Sequence, residues 1–164
     1  MNAGAYGGQV SDILLCAECL TASGEFVTLR AEELDFGYRR SALQENGAVL
    51  LRAVFGLRRG EREKIEETMR AHMQARRDKQ PLEYPSCGSV FKRPEGHFAG
   101  ALIEQCGLKG TRVGGAEVSE KHAGFIVNRG NATASDILAL IRRVSDTVFE
   151  RTGVRLEPEI RIVE

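Results

Sequence analysis

The stretch ILLCAECLTASGEFVTL (residues 13–29) decides the fold of the first half of the chain. Its two apolar runs, at 13–20 and 25–29, have the length and composition of β-strands. The segment TASG at 21–24 is a short connection that contains a glycine, as hairpin turns do. We therefore predict an antiparallel hairpin, followed by a short helical turn at 32–34.

Working outward from the hairpin, the next apolar run lies at 48–57. It is rich in Val, Leu and Phe and predicts a buried strand. From residue 61 to about residue 79 the apolar spacing becomes helical, and charged residues occupy the other face. The apolar face carries Ile65, Met69, His72 and Met73. Pro81 ends this helix or closely follows its end.

The second half of the chain begins with a proline-rich loop at 81–89. Residues 97–106 predict a helix that Gly107 caps, and the runs at 113–118 and 123–128 predict strands.

The long helix that follows has a signal at each end. Thr133 and Asp136 have the spacing of a capping box, and Gly153 is a stop signal. A final strand at 156–163 contains Pro158, which favours an edge position or a start after the proline. The order of these elements predicts an α+β fold in two parts.

Composition and charge exclude several kinds of partner. Lysines plus arginines number 23, as do aspartates plus glutamates, so no net positive field attracts nucleic acid or an anionic membrane. No apolar run approaches the roughly 20 residues of a membrane helix, and residues 1–8 carry no secretory signal. We expect no nucleic-acid partner, no membrane partner and a cytoplasmic location.

Cysteine and histidine spacing gives no metal site. Cys16 and Cys19 form a CxxC motif, but no second CxxC is present to complete a zinc ribbon. On a strand, residues three apart point to opposite faces, so we expect structural cysteines. His72, His97 and His122 lack ligand spacing, which makes a metal site improbable.

Four short segments carry residues suited to binding or catalysis, and each also has a simpler reading. The glycines of residues 2–8 allow close approach of a flat ring or a phosphate, but they also fit a tight turn. Arg39 suits a carboxylate or phosphate, yet adjacent surface arginines are often only solvated. Ser89 follows a glycine in a loop and serves equally well as a turn residue. Glu159 and Arg161 share one face of the final strand, which is otherwise an exposed edge.

Five separated stretches, taken in this order, resemble the UDP-N-acetylenolpyruvoylglucosamine reductases, also called UDP-N-acetylmuramate dehydrogenases, of peptidoglycan precursor synthesis. They are NAGAYGG (2–8), YRRS (38–41), GSVFKRP (88–94), AEVSEKHAGFIVN (116–128) and LEPEIRI (156–162). The likeness spans essentially the whole chain. The RP dipeptide at 93–94 and the form of residues 121–125 resemble the shorter, type II-like, form of the family.

The resemblance implies a domain plan. Residues 1–80 correspond to the second part of an FAD-binding domain of the vanillyl-alcohol-oxidase type. Residues 81–152 correspond to a small α+β substrate-binding domain, and 153–164 to a strand that returns to the active site. The family's N-terminal flavin-binding segment has no counterpart here, so we expect it to be a missing partner.

The resemblance also implies a reaction and its residues. In such enzymes NADPH reduces FAD, and the flavin then reduces the enolpyruvyl group of UDP-N-acetylglucosamine enolpyruvate to UDP-N-acetylmuramate. Ser89 matches the serine that protonates the substrate, Arg39 the active-site arginine and Glu159 the active-site glutamate. Flavin contacts fall on Asn2, Gly4, Ala5, Tyr6 and Gly7. Contacts to the UDP-sugar fall on Tyr38, Lys92, Arg93 and Arg161, the last three argued from their charge beside motif residues.

Three interpretations remain open at the level of the sequence. The chain is either part of that reductase or a non-catalytic UDP-sugar-binding fragment of it, which would be colourless when purified. A different flavoenzyme with the same domain plan is the third reading. The combination of Arg39, Ser89 and Glu159 in their motifs argues against that reading.

Overall fold

The computed structural model describes residues 1–163. Antiparallel strands dominate the first half of the chain. Strands β1 (Gly4–Ala5) and β2 (Gly8–Gln9) form a tight hairpin. Strands β3 (Leu14–Leu20), β4 (Phe26–Arg30) and β5 (Val49–Phe55) form a sheet in the order β4-β3-β5. The predicted hairpin is confirmed, since the Thr21 amide donates to the Glu25 carbonyl at 2.9 Å.

One face of this first sheet packs into a small core of Leu14, Ala17, Cys19 and Leu34. Leu34 comes from a 3₁₀ turn, Ala31–Leu34, where the short helical turn was predicted. Burial raises the pKa of the Cys19 thiol. Cys16 is only half-buried, in accord with the predicted separation of the two thiols, and both are free.

The prediction that residues 48–57 form a buried strand is half wrong. A strand is present, but most of the β5 side chains are exposed. β5 lies at the edge of the sheet, where it pairs only with β3 among the described strands. The apolar run therefore indicated a strand correctly, but nothing in residues 1–163 covers it.

Helix α1 (Arg62–Lys79) confirms the predicted helix and runs across the boundary between two compact units. The first unit comprises residues 1–72, and the second begins at Met73. The apolar stripe of α1 is not buried, since no residue of this helix falls in the buried class. No helix within residues 1–163 is long and apolar enough to cross a membrane.

Besides the end of α1, the second unit contains a four-stranded antiparallel sheet and two helices. Its strands are β6 (Ser86–Ser89), β7 (Arg112–Val113), β8 (Ala116–Val118) and β9 (Phe125–Asn128), in the order β6-β9-β8-β7. The single strand predicted at 113–118 is wrong. Gly114 has a positive φ of 52° and, with Gly115, turns the chain between β7 and β8.

Helices α2 (Ala99–Gln105) and α3 (Ala134–Thr152) share one core with β8 and β9. The predicted capping box is confirmed, because the Asp136 amide donates to the Thr133 hydroxyl at 3.1 Å and the Thr133 amide donates to the Asp136 carboxylate at 2.9 Å. Gly153 ends α3 in the left-handed region, as predicted. Five apolar residues of α3 contribute to this core: Ile137, Leu140, Ile141, Val144 and Val148.

The final strand predicted at 156–163 is replaced by an extended segment with one isolated bridge, Phe91↔Pro158. Pro158 has no amide proton to donate, which limits a regular ladder at this position. The three antiparallel sheets of the described residues, with separate helices, agree with the α+β class.

Candidate active site

The first unit contains a cleft of about 550 Å³ beside the β1–β2 hairpin. It brings together six residues predicted for cofactor, substrate or catalysis: Asn2, Gly4, Ala5, Gly7, Tyr38 and Arg39. Sequence reasoning missed three further lining residues, Gly8, Gln9 and Asp12. Gly8 is the last residue of the glycine-rich motif at 2–8, and Gln9 and Asp12 lie one and four residues beyond it, so their signal was proximity to that motif.

The turn of this hairpin places bare backbone at the cleft. Tyr6 and Gly7 both have positive φ angles, 53° and 84°, as a two-residue hairpin loop requires. No atom lies within 4 Å of the position that a Cβ would take on Gly7 or Gly8. A flat aromatic group can therefore approach the main chain closely here. These residues fit a flavin ring.

Asn2 has a structural task in the cleft wall. Its buried side chain donates from Nδ2 to Gln9 Oε1 at 3.1 Å and to the Gly37 carbonyl at 3.4 Å, and Oδ1 accepts from the Ser11 amide at 2.9 Å. These bonds tie residue 2 to the turn that carries Arg39. The amide side chain therefore fixes the geometry of the wall.

Tyr6 does not line the cleft described above. Its ring stacks on His72 of α1, with centroids 4.0 Å apart and planes 13° apart. Its hydroxyl donates to the His72 carbonyl at 3.0 Å. In this structure Tyr6 anchors the hairpin to the helix.

The two adjacent arginines differ in their surroundings. Arg40 pairs with Asp35 at 2.7 Å and Glu45 at 3.0 Å. The hydrogen bond that it donates to the Glu45 carboxylate, together with the charges of Asp35 and Glu45, raises the pKa of the Arg40 guanidinium. Arg39 lies in the cleft, half-buried, with its guanidinium 5.1 Å from the centre of the Tyr38 ring. Arg40 thus holds the loop, while Arg39 presents a cation to the cleft.

In the second unit, Ser89 ends β6 opposite Phe125. A break in register between Ser86 and Ser89, with Gly88 at a φ of 83°, leaves the Ser89 side chain exposed. The next two residues, Val90 and Phe91, are buried in the core. A fixed backbone therefore carries an accessible hydroxyl.

Glu159 is held beside this segment by main-chain bonds. Its amide donates to the Val90 carbonyl at 2.7 Å, and the Lys92 amide donates to the Glu157 carbonyl at 2.8 Å. The Lys92 ammonium also forms an ion pair with the Glu157 carboxylate. The structure thus brings the segments of Ser89 and Glu159 together, 70 residues apart in the sequence.

The cations predicted to bind the UDP-sugar divide into two groups. Lys92 and Arg93 line a cleft of about 390 Å³ with Glu95, His97, Arg155 and others, and the Arg93 guanidinium lies 4.0 Å from the centre of the Phe98 ring. Arg161 is exposed in the final segment and does not line that cleft. Tyr38 belongs to the first unit.

A second cleft in this unit, of about 510 Å³, was not foreseen from the sequence. At its wall, Glu117 is almost fully buried and pairs with Arg112 and Arg129. The Arg129 guanidinium stacks 4.1 Å from the centre of the Tyr84 ring. The available signal was a carboxylate inside the apolar strand β8, because a buried charge needs partners.

Metal ligation finds no support in this part of the chain. Across residues 1–163, no three His, Cys, Asp or Glu side chains lie close enough together to hold a metal ion.

The family comparison agrees with the earlier resemblance. A family model described as "UDP-N-acetylenolpyruvoylglucosamine reductase, C-terminal domain" matches residues 80–163, about half of the chain. The chain belongs to this family. The resemblance drawn from the five sequence motifs is thereby confirmed.

Individual reductases of the family match nearly the whole chain. A UDP-N-acetylenolpyruvoylglucosamine reductase of Latilactobacillus sakei is 57% identical over 163 residues, covering 99% of this chain and 54% of that protein. A Streptococcus pyogenes reductase of the same name is 55% identical, with 55% of its length covered. The chain spans about half the length of the curated relatives it matches.

A solved structure extends the likeness to three dimensions. The crystal structure of the UDP-N-acetylenolpyruvylglucosamine reductase from Thermus caldophilus matches with a TM-score of 0.84 and 40% identity. The match covers 98% of this chain and 57% of the Thermus chain.

Proposed function

We propose that this chain forms the substrate-binding and proton-donating part of an FAD-dependent reductase that uses NADPH. The reaction converts the enolpyruvyl group of UDP-N-acetylglucosamine enolpyruvate to UDP-N-acetylmuramate. The observation that carries the proposal is the exposed Ser89 hydroxyl on a fixed backbone, with the Glu159 segment hydrogen-bonded alongside. The names of the similar proteins support the reaction class.

The chain's part in flavin binding rests on the first-unit cleft. We assign residues 1–80 to an FAD-binding domain of the vanillyl-alcohol-oxidase type, with Asn2, Gly4, Ala5, Tyr6 and Gly7 near the flavin. When bound and reduced by NADPH, FAD supplies the hydride for the substrate double bond. The protein's own task is to position the substrate and stabilise its charge.

Ser89 acts as the proton donor in this proposal. Hydride addition at one carbon of the enol ether leaves carbanion character at the next carbon, beside the substrate carboxylate. A positioned hydroxyl transfers its proton to that strongly basic carbon. Arg39 contributes a cation that stabilises the developing negative charge. Glu159 orients or polarises the reacting group.

The UDP-sugar is assigned to the second unit, with residues 81–152 as its domain and 153–164 returning to the active site. Lys92, Arg93 and Arg161 supply positive charge for the diphosphate, and Tyr38 contacts the substrate from the first unit. Arginine suits this task because its planar guanidinium can bind two phosphate oxygens at once. The shared cleft of Lys92 and Arg93 supports this assignment.

The half-reactions separate the role of Ser89 from a structural one. The test uses residues 1–164 joined to the part of the Latilactobacillus sakei reductase that they do not match. Ser89→Ala should leave flavin reduction by NADPH within about twofold and lower UDP-N-acetylmuramate formation by about 10²-fold or more. Ser86→Ala, at an exposed serine in the same strand, should retain both reactions. Loss of both half-reactions in Ser89→Ala would refute the proton-donor role.

A second candidate follows from the family match, which covers only residues 80–163. On its own, the chain acts as a UDP-sugar-binding fragment without bound flavin. An absorption spectrum of the purified chain with and without added FAD, together with calorimetry using the UDP-sugar, distinguishes the two candidates. Flavin absorbance retained after gel filtration would exclude the second candidate, a UDP-sugar-binding fragment without bound flavin.

A further inference from the structure

The hydrophobic core of the first unit is open along β5. Leu14 and Cys19 of β3 are 7% and 0% exposed, whereas their cross-strand partners Phe55 and Leu50 are 45% and 49% exposed. Residues directly opposite each other in a sheet point to the same face. This face of the sheet is therefore buried at β3 and exposed at β5.

The exposed edge strand β5 also has mostly apolar side chains. β5 reads VLLRAVF, with one charged residue in seven, and it pairs only with β3 among the described strands. Exposed apolar edge strands normally lead to pairing with another chain, and proteins usually cover or charge them. Within residues 1–163 no element covers this edge, and Arg52 is the single charged residue of β5.

Helix α1 repeats the pattern immediately after β5. Ile65, Met69 and Met73 recur every four residues, so they share one face of the helix. They are 48%, 65% and 50% exposed. A helical stripe of this kind is typical of a surface that packs against another element.

We infer that the open side of β5 and the apolar stripe of α1 bind the part of the family polypeptide that this chain does not cover. The similar reductases support this choice of partner, because 100 − 54 = 46% of the Latilactobacillus sakei protein lies outside the match. The inference rests on family membership and requires no catalytic step. It assigns an interface to residues that the proposed reaction does not use.

The test is capture of the uncovered 46% of the Latilactobacillus sakei reductase, co-expressed without a tag alongside the tagged 164-residue chain. Gel filtration of the purified material gives the ratio of the two polypeptides. The unchanged chain should retain its partner at about one to one. Leu50→Lys on β5 and Met69→Lys on α1 should each reduce the retained partner at least tenfold.

The matched control is Phe26→Lys on β4, the opposite edge strand, where the side chain is 80% exposed. It should retain the partner within twofold. All three sites are exposed, so thermal melts of the variant chains alone should match the unchanged chain. If Leu50→Lys fails to fold, Met69→Lys decides the result.

Four results would overturn the inference. The unchanged chain could fail to retain the co-expressed partner, or both interface variants could retain it fully. The control could lose the partner as completely as the interface variants. Finally, the chain could form a dimer that Leu50→Lys dissociates without any capture, which would identify a second copy as the occupant. None of these results depends on flavin binding or turnover.

Discussion

Arg39 has a backbone conformation that suits glycine, and this allows a test that links strain to function. Its φ is 56°, and it is the third residue of the turn 37–40, which closes when the Arg40 amide donates to the Gly37 carbonyl at 3.3 Å. Glycine or asparagine is usual at a turn position with positive φ. A Cβ in the left-handed region costs about 1–2 kcal/mol. The proposed function gives the Arg39 guanidinium a task that glycine, with no side chain, could not perform.

We predict that Arg39→Gly leaves the first unit more stable than Arg39→Ala. Both variants lose the contact with Tyr38, so they differ in backbone terms alone. Glycine removes the backbone strain of about 1–2 kcal/mol from the folded state. It also destabilises the fold by about 0.4–1 kcal/mol, because the unfolded chain gains conformational entropy. The free energy of unfolding should therefore favour Arg39→Gly by about 0.5–1 kcal/mol.

The assay is urea unfolding followed by amide hydrogen exchange in β3, which reports on the first unit. The control is the same pair of changes at Arg52 in β5, whose ion pair with Glu18 is lost in both variants. In a strand interior, alanine should be the more stable of the pair by about 0.5–1 kcal/mol. Equal signs at the two sites would refute the strain argument. In the joined protein described above, neither Arg39 variant should support substrate reduction, even where stability is gained.

Three further predictions test the second unit. Gly115→Ala should lower the free energy of unfolding of this unit by about 2 kcal/mol or more, because the new Cβ would lie 2.2 Å from the Gly130 carbonyl oxygen. The control is Gly107→Ala, whose φ is positive but whose surroundings are open. Chemical denaturation should show a cost of only about 1 kcal/mol for this control. The Thr133 amide holds the pKa of Asp136 below its usual 3.8, so this carboxylate stabilises the fold above that pH and the contribution is lost as pH falls through the lower folded-state pKa. In thermal melts at neutral pH, the unchanged chain should have a higher melting temperature than Asp136→Asn. A difference in melting temperature that stayed constant down to pH 2 would contradict this reasoning. Leu140→Ala should cost about 3–5 kcal/mol by calorimetry, because Leu140 is fully buried; a cost below 1 kcal/mol would show that the core repacks.

Elements with local signals could be predicted from the sequence. The Thr133–Asp136 box and Gly153 fix both ends of α3, because the hydrogen bonds that cap a helix come from residues within one turn of its ends. The hairpin of β3 and β4 was equally readable, since its turn residues lie between two apolar runs. These features depend on near neighbours in the chain.

Burial and long-range pairing could not be predicted in the same way. The composition of β5 indicates a strand but not what covers it, because burial depends on residues distant in the sequence. The segment 156–163 was expected to be a strand, yet it makes a single bridge, formed by two main-chain hydrogen bonds with residues 90–92. The Glu117 pairs with Arg112 and Arg129 were missed because no spacing rule links a carboxylate on a strand to arginines 5 residues before it and 12 residues after it.

The assigned roles of the two units predict that binding and chemistry can be separated. The Ser89 and Glu159 segments are joined by main-chain hydrogen bonds inside the second unit, so their arrangement does not depend on flavin. The cation of Arg39 and the glycine backbone at residues 7–8 belong to the first unit. If the proposed roles hold, the second unit should bind UDP-sugar with the first-unit cleft empty, since neither of its clefts includes a first-unit residue. In the proposed reaction the proton donor, Ser89, belongs to the second unit and the charge-stabilising cation, Arg39, belongs to the first. Substitution of Arg39 should therefore lower the rate of substrate reduction far more than the affinity of the second unit for the nucleotide.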